Sequence, residues 1–240
     1  MILMEAPLFM SDIVEVLDDG FVRLDYYSPK DPELQIVNSA RISYNKRKKI
    51  MGEDDKGLIR YLMKNRHGTP FEMADFCFHL RLPIFVAREL MRHRNSSFNE
   101  VSQRYTIIDT KFYVPKDEDV RKQVGKQGSY EYRAIQEQTQ VFGIKSLIKE
   151  VYQKASENYE LLLKLNVAKE LARIVLPIGI YTELYYKTNA RSLMNFLSLR
   201  NHTHAQFEIR QYAKVIEEKF FGKIMPITYA AFLESERKSP

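Results

Sequence analysis

The run "DFCFHLRL", Asp75 to Leu82, alternates without a break: Phe76, Phe78, Leu80 and Leu82 fall on one face, Asp75, Cys77, His79 and Arg81 on the other. Strict period-two alternation marks a strand buried on one side and wet on the other. Such a strand suits an antiparallel sheet with one covered face better than a parallel sheet covered on both. What flanks it is helical. "TPFE", Thr69 to Glu72, has capping-box spacing with Pro70 at the first helical position. Pro83 opens a helix through "PIFVARELMRHR", on which Arg88 and Arg92 share a face. Upstream, "IVEVLDDGFVRLDYY" reads as a β-hairpin turning at Asp19-Gly20, where positive φ is expected. Asp31 and Pro32 start a helix, and another covers Asp55 to Lys64. Lys116 to Asn166 reads as mostly helical, with Ile148, Val151, Ala155, Tyr159 and Leu162 on one stripe; its glutamine-rich beginning reads as a solvated or mobile excursion. "AKELARIVL" is a helix ending by Pro177, "IGIYTELYYKT" a strand, and Asn189 the cap of "ARSLMNFLSLR". A further long helix begins near Thr203. With no repeat and no Gly/Ser- or Pro-rich linker, residues 1–240 form one α+β domain, a mostly antiparallel sheet covered by helices.

Several chemistries are excluded by pattern. No G-x-G occurs, so no dinucleotide fingerprint is present, and Leu58-Ile59 follow Gly57 where a P-loop needs Lys-Ser/Thr. The single cysteine, Cys77, sits in the strand pattern and reads as a packed small hydrophobe rather than a nucleophile. It also excludes an internal disulfide and fits a reducing compartment. Of the five histidines only His202 and His204 are close, with no acidic or cysteine ligands beside them, so no metal site is expected. The apolar start "MILMEAPLFM" carries Glu5 and no cation, unlike a signal peptide, and no apolar run approaches membrane-span length. A cytoplasmic protein without membrane contact is expected.

The charge is basic, +6 with a pI near 9.2, which favours anionic partners. Its distribution is more specific. Between Asn65 and Thr110 there are six arginines and no lysine; between Glu170 and Ala213 there are four arginines and one lysine. Guanidinium forks suit bidentate contact with phosphate or planar oxygens. In the first segment, "RHRNSSFNEVSQRY", Arg92, Arg94 and Arg104 can clamp phosphate oxygens while Ser96, Ser97 and Ser102 complete the shell. In the second, Arg191 and Asn195 lie one turn apart, and Arg200 precedes His202 and His204. Two readings stand side by side here: an anion site, or only a helix cap and a helix–helix connection. A polynucleotide-binding module and a nucleotide- or flavin-binding protein without transferase activity are the rival functional classes.

Arg92-His93-Arg94, seven residues, then Ser102 resembles the R-H-R-x7-S signature of the flavin-dependent thymidylate synthases. "HGTPFEM", "FVAREL", "SFNEVSQRY", "ARIVLP", "NARSLMNFLSLR" and "HAQFEIRQYA" resemble family segments in the family's order, from about Asn38 to Leu233. The stretch from about 116 to 140 is the least family-like and resembles an insertion. The resemblance implies reductive methylation of dUMP to dTMP, with 5,10-methylenetetrahydrofolate as carbon donor, NADPH as reductant and FAD as bound flavin. It implies a homotetramer with shared active sites, and no polynucleotide partner. It places Arg92, Glu100, Ser102, Gln103, Arg104 and Arg173 around dUMP, with Arg200 against the uracil. It places Ser43, Thr69, Arg92, His93, Arg94, Glu100, Asn189, Arg191, Asn195 and His204 around FAD. His67 is implied beside the flavin ring where folate stacks, and Arg200, Ser102 and His67 are the implied catalytic set. Glu89 stands where the family often has glutamine, a departure at a position implied to contact dUMP.

Overall fold

In the computed structural model, which describes residues 13–126 and 130–236, five strands form one antiparallel sheet in the order β1-β2-β3-β7-β4. The strands are β1 (Val14–Val16), β2 (Gly20–Ser28), β3 (Asp75–Pro83), β4 (Ser96–Glu100) and β7 (Tyr181–Asn189). A separate hairpin pairs β5 (Arg121–Val124) with β6 (Glu131–Ala134). The helices are α1 (Pro32–Arg41), α2 (Glu53–Lys64), α3 (Ile84–Leu90), α4 (Gln138–Lys164), α5 (Lys169–Ala172), α6 (Ala190–Arg200), α7 (Phe207–Val215), α8 (Gly222–Ile224) and α9 (Pro226–Glu236). The apolar start of the chain lies outside the described residues.

β3 behaves as its alternation requires except at Cys77, which falls on the face read as wet and is buried at 7% exposure. Phe76, Phe78, Leu80 and Leu82 are all but fully buried, and they meet Ile36, Leu193, Phe196, Ile209, Phe221 and Phe232 from the helices on that side. Asp75, His79 and Arg81 keep partial contact with solvent. Asp31 accepts the Leu34 amide with Pro32 next in line, and Asn189 accepts the Ser192 amide, so both caps form as the sequence requires.

Other expectations give way. The hairpin turns one step earlier than Asp19-Gly20: Leu17 takes the positive φ, 63°, and Gly20 already pairs with Val16 inside the ladder. Gly20 is needed for space instead, since a Cβ there would lie 2.0 Å from the Tyr212 hydroxyl, which donates to the Arg81 carbonyl. Thr69 caps nothing; the turn Thr69–Met73 is 3-10 with Gly68 at its cap position. The helix opened by Pro83 stops at Leu90, so Arg92 leaves the face that Arg88 keeps. The strand read from Ile178 begins at Tyr181, and the helix read from Thr203 begins at Phe207. That last helix passes through a π-helical stretch, Ile216–Phe221, before α8 and α9. On α4 the inward row contains Val141, Ala155 and Tyr159, whereas Val151 is 58% exposed. Only the end of the glutamine-rich run, from Gln138, joins that helix. Before it Arg121–Val124 and Glu131–Ala134 pair as the β5–β6 hairpin, with β6 exposed to solvent as read and Arg121 giving two hydrogen bonds of 2.9 Å to buried Glu208.

Candidate active site

The two arginine-rich segments meet because two strands pair. The Arg92–Asn95 turn leads directly into β4, and β7 leads directly into α6. β4 and β7 are neighbours in register, Ser96 opposite Thr188, and the Ser96 hydroxyl donates to Thr188 Oγ1 at 3.0 Å. The turn after α3 and the N-terminal half of α6 are thereby brought to one end of the sheet. Between them lies a cavity of about 1100 Å³ whose polar wall includes Arg92, Arg94, Asn189, Arg191, Asn195 and Arg200. Arg191 and Asn195 stand one turn apart on the exposed side of α6, while Leu193, Phe196 and Leu197 on the other side are buried. Gly68 lets Arg191 lie close across the backbone: a Cβ there would come within 2.5 Å of the Arg191 Nε, so that side chain would have to shift. Arg191 also pairs with Glu72, a wall residue that sequence reasoning assigned to a helix cap. Asn95, within the polar stretch read as an anion site, lines the cavity as well, and so do Ser192 and Leu199, which no sequence feature singled out.

Arg200 sits at the far end in a defined geometry. Its Nη1 donates to Glu89 Oε2 at 2.8 Å and its Nε donates to His93 Nε2 at 3.1 Å. A guanidinium Nε–H can only donate, so His93 Nε2 is the acceptor and the imidazole is neutral with its proton on Nδ1. His93 is 9% exposed. Burial, reinforced by the Arg200 and Arg92 guanidiniums, lowers its pKa to about 4. Glu89 shifts upward, because its burial outweighs the attraction of Arg200, and its second oxygen is buried without a partner. Cys77 is likewise pushed up by burial, which removes it from nucleophilic chemistry.

Arg104 is elsewhere, so the single clamp of Arg92, Arg94 and Arg104 does not form within one chain. It lines a second cleft of about 480 Å³, with Glu100, Ser102, Gln103 and Arg173. There Arg104 Nε donates to Glu170 Oε2 at 2.9 Å, and Arg173 Nε donates to the Glu170 carbonyl at 3.3 Å. A third cavity, about 810 Å³, opens on the other side of Arg200 and is walled by Glu89, His204 and the β5–β6 hairpin. His67 faces a hollow of about 190 Å³ that shares Arg191 and Asn195 with the main cavity. Ser43 and Thr69 are exposed and line none of these four spaces.

Residues 24–227 match the family model for thymidylate synthase complementing protein (Thy1). The chain belongs to this family. A flavin-dependent thymidylate synthase of Kosmotoga olearia is 45% identical over 220 residues, covering 92% of this chain and 93% of that relative. One from Thermus thermophilus is 43% identical over 231 residues, covering 96% and 80%. Among solved structures, a UMP/dUMP methylase, PolB from Streptomyces cacaoi bound with 5-Br UMP, superposes with a TM-score of 0.83 at 40% identity. That superposition covers 95% of this chain and 99% of PolB. Both arginine-bearing segments of this thymidylate synthase family member therefore lie within the matched span.

Proposed function

We propose that the protein is a flavin-dependent thymidylate synthase, methylating dUMP to dTMP with 5,10-methylenetetrahydrofolate as carbon donor, NADPH as reductant and FAD as resident flavin. The observation that carries this reading is the main cavity, where Arg92, Arg94 and Arg191 face one another among asparagine amides at the junction of β4, β7 and α6. With no glycine fingerprint in the chain, a flavin dinucleotide's pyrophosphate needs side-chain cations, and this donor set supplies them. His93, Arg94, Asn189, Arg191 and Asn195 would hold FAD there. The name of PolB, a UMP/dUMP methylase, supports a pyrimidine monophosphate as the methyl acceptor.

When bound, the flavin supplies the reducing equivalents that convert the transferred methylene into a methyl group. The chain's own part is electrostatic. Arg200 has five N–H donors, of which Glu89, His93 and the Glu89 carbonyl take three. Two remain to stabilise negative charge developing on the uracil, so that its carbon 5 can capture the methylene. Ser102 positions dUMP rather than attacking it: its Oγ accepts the Arg104 amide at 3.3 Å, and among the described residues neither a histidine nor a carboxylate hydrogen-bonds to it as a base. Arg104 and Arg173 bind the 5′-phosphate.

The nucleotide cleft and the Arg200 cavities share no lining residue within one chain, which fits a site completed by a second subunit. Phe142, Leu147 and Leu161 on α4, with Leu165 just past its end, expose apolar surface suited to a homotetramer. No described helix is long and apolar enough to cross a membrane; the reaction's substrates place the enzyme in the cytoplasm.

The deciding experiment gives purified protein dUMP, methylenetetrahydrofolate and NADPH, with UMP in parallel. It should be yellow, bleach anaerobically with NADPH, and form dTMP; a colourless protein that makes no dTMP overturns the reading. Arg200→Lys should lower kcat by about 10²–10³. Ser102→Ala should retain measurable turnover, and a trapped dUMP–Ser102 adduct would refute its positioning role.

A further inference from the structure

The end of α3 divides the site. Three of its residues, or residues just past it, point into three different spaces: Arg88 into the 480 Å³ cleft, Glu89 into the hairpin-walled cavity and Arg92 into the main cavity. Glu89 has a partner in Arg200. Arg88 is exposed and forms no hydrogen bond or ion pair among the described residues. Its neighbours in the cleft differ from it. Arg104 is tied to the Glu170 carboxylate, and Arg173 to the Glu170 carbonyl. Glu100 puts a carboxylate in the lining, one oxygen of which accepts from the buried Thr182 hydroxyl at 2.7 Å.

The charges then decide what this cleft can hold. Counting Glu170, which pairs with Arg104 from outside the lining, the charges of Arg104 and Arg173 are offset by Glu170 and Glu100 unless Arg88 is added, while a phosphate carries about two negative charges. Arg88 tips the cleft positive. Its fork has all five donors unspent, and Ser102 can add its hydroxyl proton, because its oxygen is the acceptor for the Arg104 amide. Ile84 and Ala87 from the same helix, with Met91 just past its end, are the apolar part of the lining, which leaves Arg88 as the one α3 side chain in the cleft able to meet an oxyanion.

We propose that Arg88 is a further phosphate-binding residue, the guanidinium that gives this cleft its net positive charge and makes the 5′-phosphate the feature by which substrate is selected over the nucleoside. The inference rests on the reading of this protein as a dUMP methylase and adds to it a residue that binds, without touching the reacting ring. The alternative is that Arg88 only complements the C-terminal end of α3, in which case its loss shifts stability slightly and leaves ligand binding alone.

Equilibrium dialysis of the flavin-loaded protein with dUMP and, separately, deoxyuridine tests it, beside steady-state dTMP formation and melting temperature. Arg88→Gln should weaken dUMP binding and raise KM for dUMP by roughly tenfold or more, with kcat within about twofold and deoxyuridine affinity unchanged. Arg88→Lys should recover part of the loss. Wild-type dUMP affinity in Arg88→Gln, or equal weakening for dUMP and deoxyuridine, overturns the assignment. A wild-type protein that binds dUMP but forms no dTMP overturns the functional reading instead, while the dialysis result still decides the role of Arg88.

Discussion

Arg200 reaches its place through two contacts of unequal character, a carboxylate on Nη1 and a neutral imidazole on Nε. The imidazole has a thermodynamic signature. His93 titrates near 4 in the folded chain against 6.5 when free. As pH falls below 6.5 the unfolded chain takes up a proton that the folded chain refuses, so stability is lost down to about pH 4 and levels off below. The full loss corresponds to about 3 kcal/mol at roughly 1.4 kcal/mol per pKa unit. Glu89 acts in the opposite sense: its raised pKa makes ionisation cost stability at high pH, a cost that fades as pH falls. The difference between two proteins is therefore the useful readout, not the net slope. Urea unfolding at pH 7 and pH 4.5 should show wild type losing about 2 kcal/mol more than His93→Gln, whose amide oxygen can still accept from Arg200. Parallel losses in both would mean that His93 is not desolvated.

At the scale of elements, the β5–β6 hairpin shows what holds a polar segment in place. Its strands are four residues each, and β6 is exposed along its whole length, so no apolar face pins it. Arg121 does so instead, donating twice to Glu208 and lying 5.3 Å from the Phe207 ring centroid and 5.9 Å from that of Tyr132. Glu208 is 3% exposed, and Gln206 and Tyr113 also donate to it. Arg121→Met should cost about 3 kcal/mol in urea unfolding, because it leaves a buried carboxylate without its cation. Adding Glu208→Leu should recover part of that; a double variant as unstable as the sum of both singles would show the pair is not coupled. The same contrast separates what was legible in the sequence from what was not. Asn189, Asp31-Pro32 and the β3 alternation act on near neighbours, and all three formed as read save that Cys77, on the face read as wet, is buried. The hairpin depends on a partner 87 residues away, and Gly20 on Tyr212, so neither contact leaves a local pattern. Arg104 likewise belonged with Arg92 and Arg94 by spacing, but the paired β4 lies between them and carries Arg104 to another cleft.

Across the whole molecule, that separation has a consequence for assembly. The residues proposed to bind phosphate, Arg104 and Arg173, and the residue proposed to meet the uracil, Arg200, open into spaces with no wall in common. A single nucleotide can use both sets only if the Arg104 cleft of one chain faces the Arg200 cavity of another. Closed symmetric assemblies present the same pairing at every site, so each active site would take one set from each of two subunits. Arg104→Ala and Arg200→Ala proteins should each be nearly inactive alone. Dissociated, mixed in equal amounts and reassembled, they should regain about a quarter of wild-type activity, the share of sites that by chance receive both intact halves. Recovery needs chains to exchange, so a mixture of the two proteins kept as preformed oligomers should stay inactive until they are dissociated. If reassembled mixtures, verified by mass to contain both chains, remain at the level of the single variants, the two sets serve the reaction within one chain, and the shared site is wrong.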